Sequence, residues 1–190
     1  MLPSGKSWVS QFPTSKSVDD LISPFRENLQ AFLSALAKAG ASVTINATYR
    51  PVERAYLMHY AFRIAREGLS PLDVPAMDGV DIQWNHLDSA GKLDIVSSRR
   101  AAQDMVAAYG IAFKPALRSN HTARLAVDMS IGWSGSLSIV NASGKKVVIT
   151  SSPRSGSNTD LIRVGKTYGV IKLVSDPPHW SQNGRFRVKR

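Results

Sequence analysis

A single aspartate set into an apolar stretch constrains this chain more than any other feature. Ser119 to Asp128 reads Ser-Asn-His-Thr-Ala-Arg-Leu-Ala-Val-Asp, and Met129 and Ile131 follow. If the second half of this stretch is a strand entering a core, alternation sends Ala126 and Asp128 to one face and Leu125 and Val127 to the other. A carboxylate then stands beside apolar neighbours. Burying it in ionised form costs several kcal/mol unless it is paired or bound to a metal, so the fold has to bring Asp128 a cationic partner. His121, seven residues earlier, supplies one imidazole. Asp176-Pro177-Pro178-His179-Trp180 supplies a second, in a proline-stiffened turn with a carboxylate three residues ahead of it.

Two His and one Asp make a three-ligand set. Three protein ligands with one position left for water is the pattern of catalytic zinc, whereas structural zinc is usually closed by four ligands, mostly Cys. This chain has no Cys. One zinc ion held by His121, Asp128 and His179 is therefore expected, with Asp176 free to take a proton from water. That is hydrolase chemistry.

At these residues the chain resembles the M15 metallopeptidases: the D-alanyl-D-alanine carboxypeptidases and dipeptidases, and the phage endolysins that cut cell-wall peptides. The family pattern is Ser-x-His-x-x-Gly-x-Ala-x-Asp, then Glu or Asp-x-x-His-x-Trp or a close variant. Ser119, His121, Ala126 and Asp128 match the first motif, and Asp176 and His179 match the second. Arg124 stands where the family usually has Gly, and Trp180 directly follows the second His. Thr48-Tyr49-Arg50-Pro51 resembles the family's Ser-x-Tyr-Arg-Ser segment, with Arg50 in the place of its substrate-handling arginine. The Gln often found after that arginine is absent, and Arg54 lies in that region.

The resemblance implies a hedgehog/DD-peptidase-like fold, zinc as cofactor and the peptide stem of bacterial peptidoglycan as substrate. It makes Asp176 and Arg50 catalytic, with Ser119, Tyr49 and Trp180 as substrate contacts. An endopeptidase cutting between L-alanine and D-glutamate, of the endolysin type, is the first expectation because no secretion signal is seen. A D-alanyl-D-alanine carboxypeptidase or dipeptidase is the second. A cell-wall or nucleic-acid binding module without chemistry is a third, and a zinc-binding relative that has lost activity a fourth; the intact Asp176 argues against the fourth.

Length and composition set outer limits. The 190 residues fit one domain, 1–190, able to bury most of the surface of its unfolded chain. It is expected to act as a monomer, with a loop-rich N-terminal arm over 1–17. Absence of Cys suits a reducing compartment. Met1 to Ser17 lacks the apolar core of a signal peptide and no transmembrane run is present, so synthesis in the cytoplasm is expected. The net charge of +10, from 24 Lys plus Arg against 14 Asp plus Glu, attracts polyanions such as nucleic acid or an anionic envelope. No nucleic-acid motif accompanies it, so no specific nucleic-acid partner is expected.

The pattern of elements is α+β, a small antiparallel sheet with helices packed against it and the site at one sheet end. Leu21, Phe25, Leu29, Phe32, Leu33 and Leu36 recur at helical spacing and predict a helix from about Val18 to Lys38, capped by Ser17 and stopped by Gly40. Ser42 to Thr48 reads as a strand delivering Tyr49 and Arg50 to its end, and Pro51 opens a second helix to about Glu67. Arg50 thus sits at a junction, where a guanidinium can grip a carboxylate or steady an oxyanion.

The segment 69–94 turns to Pro, Gly, Asp and aromatic residues and reads as a long irregular excursion, a lid or groove wall. Ser97 or Ser98 then caps a third helix ending at Gly110. Asn141-Ala142-Ser143-Gly144 makes a hairpin turn between Leu137–Val140 and Lys146–Thr150. Asn158 or Thr159 starts a fourth helix, and Val170–Val174 is a strand leading to Asp176 and His179. Arg185–Arg190 reads as a basic edge strand.

The other histidines compete for a role. His59 lies in a helix among Met58, Tyr60 and Phe62 and reads as a packed residue. His86, after Trp84 and Asn85, is a candidate for substrate contact. Trp84, Trp133 and Trp180 either line a groove or fill the core.

Overall fold

The computed structural model describes residues 1–187. In chain order they form β1 (Leu2–Pro3), α1 (Phe25–Lys38), β2 (Ser42–Ala47), α2 (Val52–Arg66), β3 (Ile82–Gln83) and α3 (Ile95–Tyr109). There follow β4 (Ala126–Gly132), β5 (Leu137–Val140), β6 (Lys146–Ile149), α4 (Thr159–Thr167), β7 (Ile171–Lys172) and β8 (His179–Ser181). The class is α+β, with four helices and small antiparallel sheets, as the pattern of elements implies. No helix among the described residues is long and apolar enough to cross a membrane. The chain divides into two compact units: Met1–Pro13 with Pro51–Leu117, and Thr14–Arg50 with Arg118 onward.

The second unit is built on a four-stranded antiparallel sheet in the order β2-β4-β8-β7. Alternation along β4 works as the sequence predicts: Leu125, Val127, Met129 and Ile131 enter the core, and Ala126 and Asp128 take the other face. The same core receives Phe25, Leu29, Phe32 and Leu36 from α1, Leu137, Ile139 and Ile149 from the β5–β6 hairpin, and Leu161 and Val164 from α4. The helix predicted from Val18 begins only at Phe25. Pro24 explains the difference, since proline donates no N–H and disfavours helix in the residue before it. Ser17 does cap, but it caps a single tight turn, Val18–Asp20, by accepting the Asp19 N–H.

The strand expected over Val170–Val174 shrinks to Ile171–Lys172, and a strand the sequence did not announce, β8, starts at His179. Arg185–Arg187 bends instead of forming an edge strand, and the rest of that expected strand, 188–190, lies outside the described residues.

The first unit packs α2 and α3 around its own core of Trp8, Tyr56, Leu57, Tyr60, Ile64, Ile82, Trp84, Met105 and Val106. The 69–94 excursion differs from the expected free loop. Val80, Ile82 and Trp84 are buried in that core, and β3 pairs in parallel with β1, Leu2 opposite Ile82. Aromatic and β-branched residues in an irregular segment are thus here a core contribution. Helix α3 is capped one turn earlier than expected, by Asp94, whose Oδ1 accepts the Ser97 N–H at 2.9 Å. Gly110, at φ 67°, ends it as predicted.

Candidate metal centre

Three antiparallel partners assemble the site in the second unit. The register sets Asp128 of β4 opposite Ala47 at the end of β2 and opposite His179 at the start of β8. His121 comes from the turn that leads into β4. Ser119 and Thr122 fold this turn reciprocally: the Ser119 N–H donates to Thr122 Oγ1 at 2.9 Å and the Thr122 N–H to Ser119 Oγ at 3.2 Å. Arg124 N–H then donates to the His121 carbonyl at 3.2 Å. Arg124 adopts φ 62°, the left-handed conformation that glycine takes most readily. The motif position keeps its backbone shape although it is not Gly, and the Arg124 guanidinium lies 4.3 Å from the centre of the Tyr49 ring.

His121 Nε2, Asp128 Oδ1 and His179 Nδ1 form a triangle with all three sides 3.1 Å. His121 and His179 are buried, while the Asp128 side chain keeps 20% exposure, so the group opens to solvent on that side. Each imidazole is held from behind by a carbonyl: His121 Nδ1 lies 2.7 Å from the Thr48 oxygen and His179 Nε2 lies 3.1 Å from the Arg185 oxygen. A carbonyl oxygen only accepts, so both outer nitrogens carry the proton. In neutral rings the inner nitrogens are then bare lone pairs, and three acceptors converge with no hydrogen between them.

Such an arrangement needs positive charge at its centre. One added proton bridges two of the three contacts at most and leaves a lone pair against a lone pair. Protonating both rings puts two cations 3.1 Å apart at their nearest atoms, a repulsion on the order of 5 kcal/mol at an effective dielectric of about 20. A metal ion satisfies all three donors at once. Tetrahedral coordination with bonds of about 2.0 Å requires donors about 3.3 Å apart, close to the triangle seen. His121, Asp128 and His179 thus form a group able to hold a metal ion. Burial opposes ionisation of Asp128, but positive charge at the centre, shared with the two imidazoles, outweighs it and holds its carboxyl well below the usual range.

The remaining expected residues fall out differently. Arg50 lies at the β2-to-α2 junction, as predicted, and its N–H donates to the His121 carbonyl at 3.2 Å. Tyr49 is half-buried beneath Arg124. Asp176 is half-buried on the turn before β8, its carbonyl accepting the His179 N–H at 3.0 Å, and it is not one of the converging donors. Ser119 spends its side chain on the turn described above.

Trp180, expected as a substrate contact, is fully buried in the core, its ring centre 5.7 Å from that of Phe32. Alternation along β8 is the reason: His179 faces the site, so its neighbour faces inward. Gly165 of α4 makes room for it, since a Cβ there would lie 2.8 Å from the Trp180 ring. His86 belongs to the first unit, where Nε2 pairs with Ser4 Oγ at 3.0 Å. His59 is packed as expected, with Nδ1 2.8 Å from the Pro115 carbonyl. Trp84 is core, and Trp133 is partly buried against the other core.

Sequence reasoning missed the groups that hold the ligands. Asn120, fully buried, donates through Nδ2 to Asn183 Oδ1 at 2.8 Å and to the Arg185 carbonyl at 2.5 Å, and its N–H binds the Phe186 carbonyl at 2.8 Å. It ties down the segment whose carbonyl orients His179. Lys172 was also missed. Burial pushes its ammonium down to about 8, against the opposing pull of Asp176 and Asp128. A cleft of about 260 Å³ borders the same turn, lined by Met129–Ile131, Ser155–Ser157, Pro177 and Pro178.

No family model matches this chain, and no curated protein matches it.

Proposed function

We propose that the chain is a zinc-dependent peptidoglycan peptidase of the M15 type, with the hedgehog/DD-peptidase-like arrangement that family implies. The observation that carries this reading is the triangle of donors whose outer nitrogens are committed to carbonyls. Two imidazoles and one carboxylate, with no thiolate, suit zinc and leave a position for water. The order of the motifs along the chain supports the family, and the exposure of Asp128 supports a catalytic site over a sealed structural one.

A zinc ion bound there supplies Lewis-acid polarisation of a carbonyl and acidification of water. The protein supplies the rest. Asp176 takes a proton from the attacking water and hands it to the departing amine. Pro177 and Pro178 stiffen the link between this base and His179, which offsets the shorter reach of Asp compared with Glu. Arg50, whose backbone is hydrogen-bonded to that of His121, binds a substrate carboxylate or steadies the developing oxyanion. This scheme makes no use of Trp180 or His86.

The bond proposed first is L-alanyl-D-glutamate, in the manner of a phage endolysin that lyses its host. The test is release of soluble peptides from purified peptidoglycan, read by mass spectrometry, before and after chelation and with zinc restored. Zinc-restorable release is expected, with new D-glutamate amino termini. Release of D-alanine alone would reassign the enzyme as a carboxypeptidase. No release despite bound zinc would refute the peptidase.

A further inference from the structure

Lys172 is a charged residue inside an apolar run, Val170-Ile171-Lys172-Leu173-Val174, and only 6% of its surface is exposed. Its Nζ lies within hydrogen-bonding reach of four main-chain carbonyls of the turn between β7 and β8, which share its three N–H groups: Asp176 at 2.8 Å, Leu173 and His179 at 3.3 Å each, and Pro177. The turn closes on itself as well, with the Leu173 N–H bonded to the His179 carbonyl at 3.0 Å and the Asp176 N–H to the Leu173 carbonyl at 3.1 Å. Pro177 and Pro178 contribute no N–H, so the turn is rich in acceptors and short of donors. Desolvating an ammonium is costly, and an apolar side chain would fill this place in the core without that cost. The carbonyls are what offset it, and all of them belong to the segment carrying Asp176 and His179.

We infer that Lys172 is an internal cation: its ammonium holds the Leu173–His179 turn in the shape that presents Asp176 and His179, and the carbonyls around it form a monovalent-cation site once the side chain is removed. Lys172 is a positioning residue, acting through those two side chains. The zinc part of this inference rests on the proposed function; the cation site does not.

The experiment compares the full chain with Lys172→Ala and Lys172→Met. Zinc affinity is measured by competition with a chromophoric chelator, and hydrogen exchange at the Asp176 and His179 amides is followed in metal-free protein. Both variants are expected to bind zinc about ten- to a hundredfold more weakly, the size typical of losing a group that orients a ligand. Exchange at those two amides should quicken while that of the β2–β4 pairing is unchanged.

Added ammonium or potassium should restore both properties in Lys172→Ala, tetramethylammonium at equal ionic strength should not, and Lys172→Met, whose side chain fills the site, should not respond. Unaltered exchange in Lys172→Met, or losses in Lys172→Ala that no small cation repairs, would overturn the inference. If Lys172→Ala does not fold, its refolding only in the presence of ammonium or potassium supports it, and failure in both overturns it. A wild-type chain that takes up no zinc would refute the proposed function and leave the exchange and rescue results to decide on Lys172.

Discussion

The two units of this chain spend their polar residues differently. The first, Met1–Pro13 with Pro51–Leu117, carries 8 Lys and Arg against 8 Asp and Glu. The second carries 16 against 6, so the whole net charge of +10 resides there. Their interiors differ in the same sense. Among the described residues, the first unit fully buries only Ser4 and Ser98 of its polar side chains, whereas the second buries Thr48, Ser119, Asn120, His121, Asn158, Lys172, His179 and Ser181. Polar burial is expensive unless every group finds a partner. The first unit has an ordinary aromatic core; the second accepts that expense around three ligand atoms and the turns that aim them.

The sharpest way to test this contrast is at the site itself. Asp176→Ala is expected to retain zinc but lose about 10²- to 10⁴-fold in peptide release, whereas His121→Ala should lose zinc stoichiometry as well. Elemental analysis beside the release assay separates the two. Zinc-loaded Asp176→Ala with full turnover would remove Asp176 from its role.

A second test strikes both cores equally. Trp180→Ala and Trp84→Ala each delete a nearly fully buried indole and are expected to cost about 3–5 kcal/mol in chemical denaturation. Only the first should also weaken zinc, because Trp180 neighbours His179 in β8. Equal zinc affinity in the two folded variants would break the assigned division of labour.

A milder effect is expected in the first unit at alkaline pH. Burial pushes the Tyr109 phenol up to about 12, although Arg54 pulls it the other way, with its guanidinium 4.7 Å from the ring centre. The phenol ionises first in the unfolded chain, near its ordinary value of about 10. Its contribution is therefore complete below that pH and lost as pH rises through about 12. Denaturation curves between these limits should show a decline that Tyr109→Phe flattens.

The smallest change is expected from Arg124→Gly. Glycine relieves the left-handed backbone at that position but gives up the contact with Tyr49, and each effect is about 1 kcal/mol. Stability should shift by less than about 1 kcal/mol, with zinc affinity intact. A large loss of zinc would mean that the guanidinium does more than tolerate the turn.

Much of the candidate site was legible because the governing rule is local. Alternation around Asp128 needed only its immediate neighbours, and the caps at Asn158 and the stops at Gly40 and Gly110 are equally short-range. The start of α1 is displaced from the expected one because the helical spacing of Leu21 and Phe25 continues across Pro24, where the helix does not. Strand β8 was hidden by the prolines in front of it and by its shortness.

Trp180 was misplaced by its adjacency to His179, although the alternation used for Asp128 assigns it to the core. Lys172 carried that same signal, a charge in an apolar run, and went unread. Asn120 and the Arg185 carbonyl had none to read, since a main-chain oxygen reached across the fold has no signature in side-chain pattern. The excursion over 69–94 reads as a loop because strands of two residues leave no period.

The pairing of Ala47 with Asp128 has a consequence for how the molecule comes into being. The central strands β2 and β4 are separated in sequence by α2, the 69–94 segment and α3, so their hydrogen bonds close a very long loop. Long-range closure of this kind is slow compared with helix formation. All three donor residues leave the ribosome after that intervening stretch, and His179, which opens β8, leaves it last. A nascent chain halted before His179 has the helices but lacks one of the three donors, so the group able to hold a metal ion is complete only once β8 has been made.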